Sequence, residues 1–164
     1  MEIGIFDVQI ETFSRDLALA YVRRGYAQYR SGDLTSAMAE FIEARRLCPD
    51  DAYVHYLLGK TLLRFGRPRE AQVEFKEVLR LSPTFIDAHY QLGKAYLSEP
   101  NPQVAKAQSA FEAEIAVYSS HAAAHHKLAR LYRQSGLRDR AVAARRRAGV
   151  YGYRKSRSAS LKAI

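Results

Sequence analysis

The feature that most constrains this chain is a spacing of 34 residues shared by several unrelated residue types. Gly25, Gly59 and Gly93 stand 34 apart, and Ala129 holds the matching place 36 later. Ala37 and Ala71 are 34 apart, Ala107 follows after 36, and Ala141 after another 34. Phe41, Phe75 and Phe111 take the same steps, and Pro49 and Pro83 are again 34 apart. Independent series with one period imply one supersecondary unit used repeatedly, each copy leaving an apolar face for its neighbour to cover. The common offset of two residues places an insertion between Tyr96 and Ala107. There Ser98-Glu99-Pro100-Asn101-Pro102-Gln103 is rich in turn formers and reads as a lengthened turn.

Within a unit the pattern is that of two short helices. Tyr56, Leu58, Gly59, Leu62 and Leu63 recur at helical spacing. Gly66 stops that helix and Pro68 can open the next, where a missing N–H costs little. Ala71, Phe75, Val78 and Leu79 then form an i, i+4, i+7, i+8 stripe, and Pro83 ends the unit. Gly32 and Gly136 occupy the matching turn in the first and last units. Gly59 and Ala71 are expected where two helices cross closely, with Phe75 filling the space toward the next unit. Residues 1–17, including Ile5, Phe6, Ile10 and Phe13, are expected to extend the first helix or cap that end.

At these positions the chain resembles the tetratricopeptide-repeat family, whose pattern runs from Leu-Gly through Tyr, Ala and Phe to Pro over 34 residues. Leu58-Gly59, Ala71, Phe75 and Pro83 supply it in one unit, and Leu92-Gly93, Tyr96, Ala107 and Phe111 in the next. The family's Trp is replaced by Tyr21, His55, His89 and His125; Arg24 stands for a usual Leu, Ser119 for a Pro and Arg145 for a Phe. The resemblance implies an all-α, right-handed α-solenoid of about four repeats spanning residues 18–51, 52–85, 86–121 and 122–151, followed by a basic tail over 152–164 that is expected to be mobile. It also implies a scaffold that holds another protein, such as an adaptor, an assembly factor or a co-chaperone.

Little in the chain advertises chemistry. Apolar stretches are interrupted by charge well before the roughly 20 residues a membrane span needs. Met1 to Ile10 carries Glu2 and Asp7 and no basic start, so a signal peptide is not expected and the cytoplasm is the default location. A single cysteine, Cys48, excludes an intrachain disulfide. His55, His89 and His125 share one repeat position, which spaces them too far apart for one zinc ion. His121 and His125 are at i, i+4, but no Glu completes a metalloprotease pattern. No phosphate-binding glycine loop or dinucleotide fingerprint is present. Glu70, Glu74 and Glu77 read as solvated residues of a helix face. Neither a cofactor nor an enzymatic activity is expected.

Two surfaces remain. In the family that the chain resembles, the first helix of each unit lines a concave groove. Carried over, that groove takes Tyr26, Tyr29 and Arg30 from the first unit, Tyr53, Tyr56, Lys60 and Arg64 from the second, Tyr90 and Lys94 from the third, and His126, Arg130 and Arg133 from the fourth. Asp87 is the one acid at a lining position. Tyr56, Lys60 and Leu63 share a helix face, and Tyr90, Lys94 and Leu97 repeat the arrangement. Tyr gives rigid contact area and Lys or Arg pairs with carboxylates, so the expected ligand is an acidic segment or C-terminus of another protein. Lys60, Lys94 and Arg130 resemble the family's carboxylate clamp, although Tyr26 and Lys60 stand where the clamp has asparagines. The second surface is the basic C-terminal end. Of the net charge of +9, most lies beyond Leu137, where Arg140, Arg145, Arg146, Arg147, Arg154, Lys155 and Arg157 face a lone acid, Asp139. The alternative function is binding of nucleic acid or an anionic surface there.

Overall fold

The computed structural model describes residues 3–152, with side chains from Gln9 onward. These residues form eight helices and no strand: α1 Ile3–Ser31, α2 Leu34–Leu47, α3 Ala52–Arg64, α4 Pro68–Leu81, α5 Ala88–Leu97, α6 Val104–Val117, α7 Ala122–Gln134 and α8 Arg138–Val150. They pair in sequence order as four antiparallel hairpins, and each hairpin packs on the next, so the core is one continuous layer. α1 runs unbroken through the segment before Leu17, which therefore continues the first helix.

A phenylalanine lying on a glycine closes the first three hairpins. Phe41, Phe75 and Phe111 are fully buried. A methyl group on Gly59 would lie 2.8 Å from Cε1 of Phe75, one on Gly93 2.6 Å from Cε1 of Phe111, and one on Gly25 2.9 Å from Cε1 of Phe41. These are distances at which real carbons do not sit. Phe75 thus covers the glycine of its own unit. In the fourth hairpin both partners change together: Ala129 replaces the glycine and exposed Arg145 the ring.

Turns follow their local chemistry. The α1–α2, α3–α4 and α7–α8 connections place Gly32, Gly66 and Gly136 at positive φ, where other residues are strained. The lengthened α5–α6 turn is anchored through Glu99, which is buried and accepts from Gln72 on α4 at 2.6 Å and from Gln103.

Glu74 departs from its sequence expectation. It is buried, and it accepts from Arg45 of α2 at 2.5 Å while meeting His55 Nδ1 of α3 at 2.6 Å. His55 Nε2 faces the carbonyl oxygen of Pro49 at 2.8 Å. Both neighbours of the ring are acceptors, so the ring is satisfied at both nitrogens only as the imidazolium. The hydrogen bond to Glu74 accordingly raises its pKa above the usual histidine value, against the opposing effect of burial. His125 makes the same contact to the Ser119 carbonyl, at 2.8 Å, and is buried, while His89 is half-buried. The repeated histidines are thus packed into the stack at the position of the family's Trp.

Two outcomes are expected. Gly93→Ala should destabilise the fold by about 1–3 kcal/mol through overpacking, and Phe111→Leu should be less harmful in that background than in the wild type. Urea unfolding measures both, and an unchanged midpoint for Gly93→Ala would contradict the close approach. A raised folded-state pKa of His55 contributes stability that is complete below the unfolded value and is lost as pH rises through the folded one. Thermal midpoints should therefore fall more in the wild type than in His55→Gln between about pH 6 and pH 8.5.

Candidate functional site

Helices α1, α3 and α5 bring several of the sequence-selected tyrosines and cations into contact. Tyr26 and Tyr29 stack with ring centroids 6.4 Å apart, and Tyr53 and Tyr56 at 6.3 Å. The Lys60 ammonium lies 5.0 Å from the centre of the Tyr56 ring and 6.0 Å from that of Tyr29, so it bridges two units. The Arg64 guanidinium sits 4.4 Å from the Tyr29 ring centre and donates to the Tyr29 carbonyl at 2.9 Å. Lys94 repeats the motif 5.8 Å from Tyr90. Cations over aromatic faces hold the strip's shape without neutralising its charge.

The cations crowd one another. Partial burial lowers the pKa of Lys94, and the positive charges of Lys127 and Lys60 lower it further, while Asp87 opposes them. Burial and the charge of Arg130 lower Lys127 in the same way. A carboxylate placed among these cations would relieve the repulsion.

Asp87, the one acid in the strip, is already engaged. It accepts from Tyr56 Oη at 2.5 Å and from Gln91 Nε2 at 2.7 Å, and lies 3.3 Å from His121 Nε2. It thereby links the second, third and fourth hairpins. Burial pushes its pKa up, but the hydrogen bonds from His121, Tyr56 and Gln91 outweigh burial and hold it below the usual carboxylate value. Burial, followed by the Asp87 hydrogen bond, pushes the Tyr56 hydroxyl far above its ordinary range.

This cluster rests on a residue that sequence reasoning missed. The helix-capping position held by Asp51 before α3 and by His121 before α7 falls on Phe85 in the third unit. Phe85 packs instead on Tyr56, with ring centroids 5.0 Å apart. α5 starts only at Ala88, preceded by Asp87 at a φ of 75°. Glu114 of α6, fully buried, supplies the missing cap: its carboxylate accepts from the backbone N–H of Asp87 at 2.9 Å and of Tyr90 at 3.1 Å. A glutamate at the repeat position that Ala44 and Val78 fill with apolar atoms was the available signal.

The remaining sequence-selected residues lie elsewhere. Arg30 is exposed on the last turn of α1. His126, Arg130 and Arg133 line an open cleft of about 980 Å³ between α7 and α8, which Arg138 and Arg145 also line. Arg146 and Arg147 point to another side of α8, with Val150 and Tyr151, and Arg140 is exposed. The Tyr151 ring stacks on His125 at 5.6 Å. Arg154, Lys155, Arg157 and the tail from Tyr153 lie outside the described residues. Burial, and then the charge of Asp51, raises the pKa of the Cys48 thiol, which disfavours the reactive thiolate. Among the described residues no group of three or more His, Cys, Asp or Glu could hold a metal ion, and no helix is long and apolar enough to cross a membrane.

Comparison with known proteins gives one consistent result. A family model described as TPR repeat matches residues 25–66, and one described as Tetratricopeptide repeat matches residues 56–105. No curated protein matches the sequence significantly. Among solved structures, the chain is similar to MamA, with a TM-score of 0.75 and 23% identity over 92% of this chain and 90% of that one. It is similar to TTC0263, a thermophilic TPR protein in Thermus thermophilus, with a TM-score of 0.70 and 22% identity over 82% of this chain and 74% of that one. It is also similar to the first TPR of Spaghetti (RPAP3) bound to the HSP90 peptide SRMEEVD, with a TM-score of 0.70 and 13% identity over 74% of this chain and 95% of that one.

Replacing Glu114 by Ala should remove the acceptor of the half-buried Asp87 and Tyr90 backbone N–H groups and cost about 2–4 kcal/mol. Glu114→Gln, which keeps one acceptor oxygen, should cost less. Chemical unfolding measures the order, and equal stability of wild type and Glu114→Ala would contradict the capping role.

Proposed function

Because the chain belongs to the tetratricopeptide-repeat family, whose fold serves as a protein–protein interaction scaffold, we propose that its concave strip holds an acidic segment of another protein. The chain would thereby act as an adaptor, assembly factor or co-chaperone. The observation that carries this is the row of Lys60 and Lys94 over tyrosine rings, with Lys94 also within reach of the Lys127 charge and the local acid Asp87 already hydrogen-bonded. A flexible acidic peptide laid across α1, α3 and α5 would exchange cation–cation repulsion for charge-assisted hydrogen bonds. The tyrosines would give it apolar contact at low entropic cost. The RPAP3 structure, in which a similar fold holds a peptide with two adjacent glutamates, supports the same polarity of recognition.

The basic end supports the alternative, a nucleic acid or anionic surface, less well. Its arginines spread around α8, and Tyr151, the aromatic residue beside them, lies against His125. Stacking of bases would need free rings next to the charge.

Isothermal titration calorimetry with a short Glu/Asp-rich peptide bearing a free carboxyl terminus tests the groove. The double substitution Lys60→Ala, Lys94→Ala should weaken binding at least about tenfold, and the peptide's Gln/Asn counterpart should not bind. Undiminished affinity in the double variant would contradict the groove.

A further inference from the structure

The two ends of the solenoid carry complementary surfaces. α2 pairs with the C-terminal half of α1, where Gly25 meets Phe41 and Arg24 meets Glu40 at 2.6 Å. Ala18 is the first buried residue of α1 among those with described side chains. Ahead of it the described side chains are largely uncovered, with Arg15 near enough to Cys48 at the end of α2 for its charge to act on the thiol. From Gln9 to Leu17 every residue is exposed except half-buried Ser14. Ile10, Phe13 and Leu17 are 64, 71 and 37% exposed. They stand at i, i+3 and i+7, so they form one apolar stripe along this projection. The same three-four spacing runs back in sequence through Phe6 and Ile3. Residues 1–17 contain Glu2, Asp7, Glu11 and Asp16 against Arg15, an acidic balance.

At the opposite end, α7 and α8 expose the face on which, in the earlier hairpins, the first helix of the following unit packs. The cleft there is floored by Ala129, Ala141, Ala148 and Gly149, small enough to admit a helix, and is rimmed by Arg130, Arg133, Arg138 and Arg145. Arg145 stands where a phenylalanine closes the other hairpins, so this one stays open. No further helix covers it among the described residues. The thirteen residues of α7 span about 20 Å, and the fifteen of α1 before Ala18 about 22 Å, so the lengths match.

We propose that the projecting part of α1 from one copy of this chain docks into the α7–α8 cleft of a second copy, giving head-to-tail assembly. Charge selects this pairing. Two α1 projections laid together would oppose acid to acid, and residues 153–164, with Arg154, Lys155, Arg157, Lys162 and no acid, repeat the cleft's own sign. The projection brings carboxylates to the arginine rim and an apolar stripe to the alanine floor. A heterologous contact of this kind leaves a free head and a free tail on each assembly, so growth continues unless a ring closes. It also leaves the concave strip of every copy on offer, which would make the assembly multivalent for the ligand proposed above.

Sedimentation velocity over a concentration series tests this with the full chain. The wild type should form a ladder of oligomers that shortens as salt is raised. Ile10→Asp with Phe13→Asp removes the head, and Arg130→Glu with Arg133→Glu the tail. All four residues are largely solvent-exposed, so both variants should keep the wild-type circular dichroism spectrum and sediment as the 18.6 kDa monomer. Mixed together, they should form a one-to-one complex and stop there, since one working head and one working tail remain. A wild type that stays monomeric at hundreds of micromolar would overturn the proposal. So would a head variant that still assembles, or a mixture with no heterodimer. Assembly abolished by Lys60→Glu with Lys94→Glu but retained by the tail variant would place the helix in the concave strip, and would overturn it as well.

Discussion

The contact on which the rest of the structure depends is a phenylalanine ring pressed onto a glycine across each of the first three helical hairpins. It sets the distance between the two helices of a unit, because any side chain at Gly59 or Gly93 would collide with the ring. With that distance fixed, the outward faces of the hairpin lie where the next hairpin can pack on them, and the stack follows. The fourth hairpin lacks both partners. That joint loss is the clearest sign that glycine and ring are one device: without a ring to accommodate, alanine returns to a helical position that glycine destabilises.

Regular stacking sets the same helix face of the first three units side by side, which is why Lys60 reaches the rings of both Tyr29 and Tyr56. The charge of that face depends on polar groups below it. Glu114 caps α5 from within the core and positions the backbone of Asp87 and Tyr90. Asp87, so placed, is held by Tyr56, Gln91 and His121 from three successive units. Asp87 is hydrogen-bonded to groups that hold the units together, while its charge still acts on Lys94 against those of Lys127 and Lys60. Stability and recognition therefore draw on the same residues.

The fold was legible because packing repeats. Gly, Ala, Phe and Pro recur where close approach, ring packing and helix ends require them, and a period is visible without any knowledge of contacts. The lengthened turn was legible as a break in that period. That Tyr56, Lys60, Tyr90 and Lys94 share one face of their helices was legible from helical register. What a period cannot show is a residue that departs from it to satisfy a neighbour. Glu114 occupies a place that Ala44 and Val78 fill with apolar atoms, and its purpose exists only once Phe85 has displaced the cap of the next helix. Glu74 read as one of three solvated carboxylates, yet it alone faces Arg45 and His55. His126, Arg130 and Arg133 share a register with Tyr56, Lys60 and Leu63, but no following hairpin is described beside them, so they line the end cleft. For Glu114 and Glu74 the decisive partners lie outside their own helix, at separations that helical spacing does not encode.

The central claim is that recognition resides on the inner wall, and amide chemical-shift mapping tests it most directly. Labelled protein would be titrated with a Glu/Asp-rich peptide. The expected result is a set of perturbed amides concentrated on α1, α3 and α5 around Tyr29, Lys60, Tyr90 and Lys94, with α2, α4 and α6 nearly unchanged. Perturbations confined to α8, or absent altogether at saturating peptide, would contradict it.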